Sequence, residues 1–293
     1  MHRAVGCRLF SLSGSLVFLF VCWLSWIFFI PGTGMADPSE MSPARGEKST
    51  FEAPDRLKGP PDVATLQSLR ERFTFEVTWG FLRIGTVHVY IRGDTLYRDT
   101  PAVHLVAEMI SNRRIPLVGY KEVHYHTFKA YNEELPYGLL FWQNSLHRDM
   151  MRRYVFDFDY GAGYAYGFEE GELLDTLLLD EPADGGPAVM YYARLFAGTD
   201  AQTRYPIYID REKAEIFMDF SSRPEVYESP AFPGETIRAY TMKGQADFDG
   251  PFGFSGQFNA WFRDDELRIP LEARVSIWIG SVRIRLTDYD RLQ

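Results

Sequence analysis

Glu122, His124 and His126 stand at alternate positions of the run KEVHYHTF. In an extended strand such residues project from one face about 7 Å apart. Two imidazoles and a carboxylate so placed are a donor set for a transition metal. The intervening Val123, Tyr125 and Thr127 also fit a packed face that leaves both histidines in solvent. Oxygen donors gather further on, with Asp157, Asp159, Glu169, Glu170, Glu172 and Asp175 inside YVFDFDYGAGYAYGFEEGELLD. Exported proteins hold calcium with such groups, although this spacing matches no EF-hand loop. Asp157 and Asp159 are also the one carboxylate pair suited to share acid and base duty in glycoside hydrolysis. Ser255 sits in no Gly-x-Ser-x-Gly elbow, and no phosphate-binding or dinucleotide fingerprint is present. No catalytic residue is therefore assigned and no cofactor is expected, which tilts the reading away from an enzyme.

Aromatic residues make up 16% of the chain. Trp142, Tyr164, Tyr166, Phe217, Tyr240, Trp261 and Trp278 fall opposite the apolar register of their segments or in turn-rich stretches. On a curved sheet such side chains either line a cavity for an acyl chain or form stacking platforms for sugars. The competing reading is a two-layer core in which both faces are partly buried.

The elements that must position these residues are strands. Phe73, Phe75, Val77 and Trp79 alternate with Arg72, Thr74, Glu76 and Thr78, the pattern of a half-buried strand. The same alternation recurs in Val87/Val89/Ile91, Val103/Leu105/Ala107/Met109, Ile216/Met218/Phe220 and Val282/Ile284/Leu286. Turn chemistry separates the runs at Gly80 to Gly85, Arg92-Gly93-Asp94, Asp159-Tyr160-Gly161 and Gly280-Ser281. Pro187 to Ala197 departs from this pattern. Val189, Tyr192, Ala193 and Phe196 have helical spacing there, and Gly198 follows as a stop. The expected fold is mainly β: a curled antiparallel sheet forming an open or closed barrel-like domain with one main helix, with a β-sandwich as the alternative.

No charge occurs between Arg8 and Asp37, and Leu9 to Ile30 is apolar enough to enter a bilayer. Basic Arg3 and Arg8 precede it and Gly34-Met35-Ala36 follows. Residues 1–36 thus read as a signal peptide cleaved after Ala36 or as an uncleaved membrane anchor. The chain is expected to be exported, periplasmic, with membrane contact only through residues 9–30. Residues 37–68, rich in Pro, Ser, Gly and charge near their start, read as a disordered spacer, and residues 69–293 as one β-rich domain. Both cysteines, Cys7 and Cys22, lie in the N-terminal segment, so the body has neither disulfides nor thiolate chemistry. The chain carries a formal charge of −9. That balance argues against nucleic acid as a partner.

The opening ERFTFEVTWGFLRIGTVHVYI, the mid-chain PAVMYYARLFAG and the closing GQFNAWFRDDELRIPLEARVSIWIGSVRIRLTDY carry a resemblance. Over about residues 70–290 the chain resembles the bacterial exported family known as domain of unknown function 3108. Trp261-Phe262-Arg263-Asp264 and Ile269-Pro270 stand where that family has a Trp-x-x-Asp segment and a Pro-initiated final hairpin. The resemblance implies an envelope location and a β-rich fold, and no settled activity. The functional expectation is non-enzymatic binding or carrying of a lipid, lipid-linked glycan or other hydrophobic ligand. The alternatives are an adaptor contacting envelope proteins and, third, a glycan-acting hydrolase.

Overall fold

The structure is a computed structural model that describes residues 59–114, 120–147, 150–209, 212–247, 256–277 and 280–292. The apolar segment at residues 9–30, the cleavage site and Trp278 lie outside the described residues. Among those described, no helix is long and apolar enough to cross a membrane.

Among the described residues, fifteen strands form one sheet. In chain order they are β1 (Glu71–Trp79), β2 (Leu82–Tyr97), β3 (Thr100–Ser111), β4 (Lys121–Tyr131), β5 (Pro136–His147), β6 (Met150–Asp159), β7 (Tyr164–Glu169) and β8 (Glu172–Leu178). There follow β9 (Gln202–Ile209), β10 (Glu212–Phe220), β11 (Glu225–Tyr227), β12 (Ile237–Ala246), β13 (Gln257–Arg263), β14 (Pro270–Ser276) and β15 (Ser281–Arg291). Strands β8 back to β1 lie side by side, β15 docks on β1, and the order runs on through β14, β13, β12 and β10 to β9. Short β11 pairs with β12 off this path. All neighbouring strands are antiparallel, as hairpin connections require. The sheet curls without closing: β8 and β9 are its two ends. One continuous sheet of this kind sets the sandwich alternative aside.

Across the gap the chain ties itself. Asp184 bridges Ile207 in parallel, Tyr208 donates to the Leu178 carbonyl, and Lys213 Nζ meets Asp180 at 2.5 Å. The inner face holds the core that the alternation anticipates, including Phe73, Val89, Leu105, Phe156, Met218 and Ile284. Helix α2 (Val189–Arg194) closes over it with Tyr191, Tyr192, Ala193 and Arg194 all buried. The helix is shorter than the Pro187 to Ala197 expectation because its end tightens into turn bonds from Phe196 and Ala197 to the Ala193 carbonyl.

Two local expectations are corrected. Arg92-Gly93-Asp94 is not a turn; β2 continues through it with a bulge between Ile91 and Gly93. The reversal comes at Arg98-Asp99, whose φ values of 48° and 64° are the left-handed pair that a tight hairpin uses. At the other boundary, Val63–Ser68, placed in the spacer, forms helix α1. Asp62 caps it at Thr65 N, 2.7 Å away, and Leu66 joins the core.

Candidate ligand-binding surface

The outer face of β3, β4 and β5 carries the metal candidates. His124 Nε2 lies 2.7 Å from Glu122 Oε1, while the Tyr120 hydroxyl donates to the other Glu122 oxygen. These two hydrogen bonds hold the Glu122 carboxyl below its usual range. His126 turns the other way. Its Nδ1 is 3.1 Å from His104 Nε2 across the β3–β4 pair, and its ring stacks on Trp142 with centroids 4.7 Å apart. Burial pushes His126 down to about 4, helped by the neighbouring His104 and His124, and burial lowers His104 as well. At neutral pH these are uncharged rings sharing one N–H. The triad expected from spacing is therefore split into two pairs. Among the described residues no three His, Cys, Asp or Glu side chains are grouped so that they could hold a metal.

The carboxylate pair is also spoken for. Arg98 reaches Asp157 Oδ2 at 2.6 Å and Asp159 Oδ2 at 3.4 Å, so the two carboxylates share one guanidinium. Glu170 accepts from the Arg153 backbone N–H at 2.7 Å, so it shapes a turn.

The aromatic candidates separate into three places. Trp142 lies in an outer-face row with Val106, His126, Val155, Phe168 and Leu173, in register across β3 to β8. Tyr164 and Tyr166 share that face near the β8 end, with ring centroids 6.3 Å apart. Tyr240 is instead a core residue beneath the end of α2, so close to Gly198 that a Cβ there would sit 2.8 Å from its ring. Trp261 is tied down, its Nε1 donating to Glu225 at 2.5 Å and Arg274 lying over its ring. Phe217 stands apart from the others, 43% exposed on the outer face of β10.

Phe217 lines a groove of about 670 Å³ on the outer side of β9, β10, β12 and β13. In register with it lie Arg204 on β9 and Gln245 on β12, and Gln245 in turn faces Gln257 on β13. The next row brings Gln202, Asp219, Lys243 and Asn259 together. Planar amides and charged groups thus ring one exposed phenyl. Arg204 is held by Glu181 and Glu215 at 2.9 and 2.6 Å, which fixes one wall. Sequence reading found Phe217 but not its companions. Their parity on each strand was legible, whereas the cross-strand order that joins them was not.

The interior contrasts with this surface. Arg194 of α2 forms a fully buried ion pair with Glu71 and donates to the Leu267 carbonyl at 2.8 Å. The buried Lys129 Nζ faces the Tyr191 ring at 3.1 Å, and burial pushes its pKa well below the usual range. Asp184 Oδ2 accepts from Gly186 and Ala188 at the start of α2. Helix, tyrosines and ion pair occupy the space that a barrel lumen would offer a ligand.

A family model described as "Protein of unknown function (DUF3108)" matches residues 74–287. No curated protein matches the chain. Among solved structures, the chain is similar to a crystal structure of a beta-barrel-like protein of domain of unknown function DUF1849 from Brucella abortus. The TM-score is 0.51 at 10% identity, over 77% of this chain and 98% of that one. This is a likeness of fold.

Proposed function

The chain belongs to the DUF3108 family of proteins of unknown function, and we propose that it is an exported, periplasmic, non-catalytic binding protein whose ligand is an envelope glycan, taken up in the groove around Phe217. The observation that carries this reading is the exposed Phe217 ring set among Gln202, Arg204, Gln245, Gln257 and Asn259. A pyranose offers an apolar C–H face to a ring and hydroxyls at its rim. Amide side chains both donate and accept, so they exchange hydrogen bonds with those hydroxyls. An acyl chain would instead need an apolar lumen, and here α2, Tyr191 and Tyr205 pack the inner face. The lipid-linked form of the ligand remains compatible, with the sugar portion in the groove. Phe217→Ala is the test on an array of bacterial envelope glycans. The wild type is expected to bind and the variant to lose binding at least tenfold with an unchanged melting temperature; equal binding by both would end the proposal.

A second reading, an adaptor for envelope proteins, draws on one observation. Among the described residues, strand β8 pairs with β7 alone, and it carries Leu173 and Leu178 at 54% and 61% exposure. Such an edge accepts an added strand from a partner. Thr176→Pro would block it by removing an N–H, and contacts with envelope proteins that survive this change would count against the adaptor.

A further inference from the structure

We infer that the ligand of the groove is an anionic glycan, one bearing a carboxylate or phosphate, because the groove runs in register into an arginine-rich strip. This rests on the groove reading above. Lys243 and Asn259 line the groove. Asn259 pairs with Arg274 on β14, and Arg274 with Arg283 on β15, so one outer-face row carries Lys243, Asn259, Arg274 and Arg283. Strands are about 4.8 Å apart, which puts Arg283 about 10 Å beyond Asn259. Arg285 stands two residues along the same strand, opposite Glu272.

The charges of this strip do not cancel. Arg274, Arg283 and Arg285 converge on the single buried carboxylate of Glu272, at 2.5, 2.7 and 3.9 Å. Tyr227 of β11 also donates to Glu272, which fixes it from the outer side. The other acids nearby have their own partners. Glu76 is paired with Arg83 at 3.0 Å, Glu225 accepts from Trp261, and Asp219 accepts weakly from Gln202 at 3.5 Å. Against Glu272, Asp219 and Glu225, whose partner Trp261 is neutral, the strip sets Lys243 and three guanidiniums, an excess of one positive charge on a chain whose net charge is −9. Among the described residues, Arg283 Nε and Arg285 Nε are buried donors without hydrogen bonds. The side chain of Arg274 is 45% exposed and that of Arg283 37%, so an incoming anion reaches them. Guanidinium forks fit carboxylate and phosphate oxygens in matched pairs.

The test compares acidic and neutral members of one glycan array on the intact body, followed by titration of the best acidic binder against its methyl ester. Acidic glycans are expected to bind at least tenfold tighter at low ionic strength, with the preference shrinking as salt is raised. Lys243→Gln, an exposed residue whose loss leaves Glu272 fully paired, should reduce that preference several-fold. Arg283→Gln should reduce it further, with circular dichroism confirming the fold. Binding of neutral glycans with equal or greater affinity would overturn the anionic assignment and leave the groove reading intact. Binding of neither class would overturn both.

Discussion

Glu71 and Arg194 carry opposite charges in a place where water does not reach. Removing one partner strands the other, which typically costs about 3–5 kcal/mol, whereas replacing both with apolar groups is often nearly neutral. Arg194→Leu is therefore expected to destabilise the protein by about that amount in urea denaturation. Glu71→Leu combined with Arg194→Leu should recover most of the loss. The histidine pair makes a prediction of its own. The folded-state pKa of His126, about 4, lies below the 6.5 of an unperturbed imidazole, so between those values the unfolded chain binds more protons. Stability contributed by the neutral ring is present above about pH 6.5, falls as pH drops through the window, and levels off below about 4. Melting temperatures measured at pH 7 and pH 4.5 should therefore fall more steeply for the wild type than for His126→Gln. At this scale the sequence was half legible. The parity of His124 and His126 was correct, but the partner of His126 is His104, a strand away, and nothing in spacing along one strand selects it.

The strands were legible because one face of each is buried and alternation at period two records that directly. Turns were less so, since Gly93 marks a bulge while the true reversal at Arg98-Asp99 uses two residues that carry a Cβ in left-handed conformations. That strain predicts a gain. Asp99→Gly should stabilise the β2–β3 hairpin by up to about 1 kcal/mol, read as a raised denaturation midpoint. The stop of α2 predicts the reverse. Gly198 has φ +86° and no room beside Tyr240, so Gly198→Ala should cost about 1–3 kcal/mol in the same assay. The helix itself was visible from its spacing between Pro187 and Gly198, but its role as the filling of the curled sheet became plain only once Arg194 met Glu71 from β1. Helix α1 escaped notice because six residues give too short a period to read, and its packing rests on Leu66 alone.

For the whole molecule, the curl of the sheet decides where a ligand can go. Among the described residues, a single antiparallel sheet wrapped around helix α2 spends its inner face on its own core, and the function proposed above places the ligand on its outer face. Aromatic surplus alone could not distinguish these uses, because Tyr240 and Phe217 look alike in sequence and end on opposite faces. In the function proposed above, the Phe217 groove, and not the interior, takes the ligand. Backbone amide chemical shifts recorded while an array-selected envelope glycan is titrated in test this most directly. Saturable changes confined to residues 202–204, 217–219, 243–245 and 257–259, and absent in Phe217→Ala, are the predicted result. Changes centred on α2 and the inward residues of β1 and β4 would contradict the account.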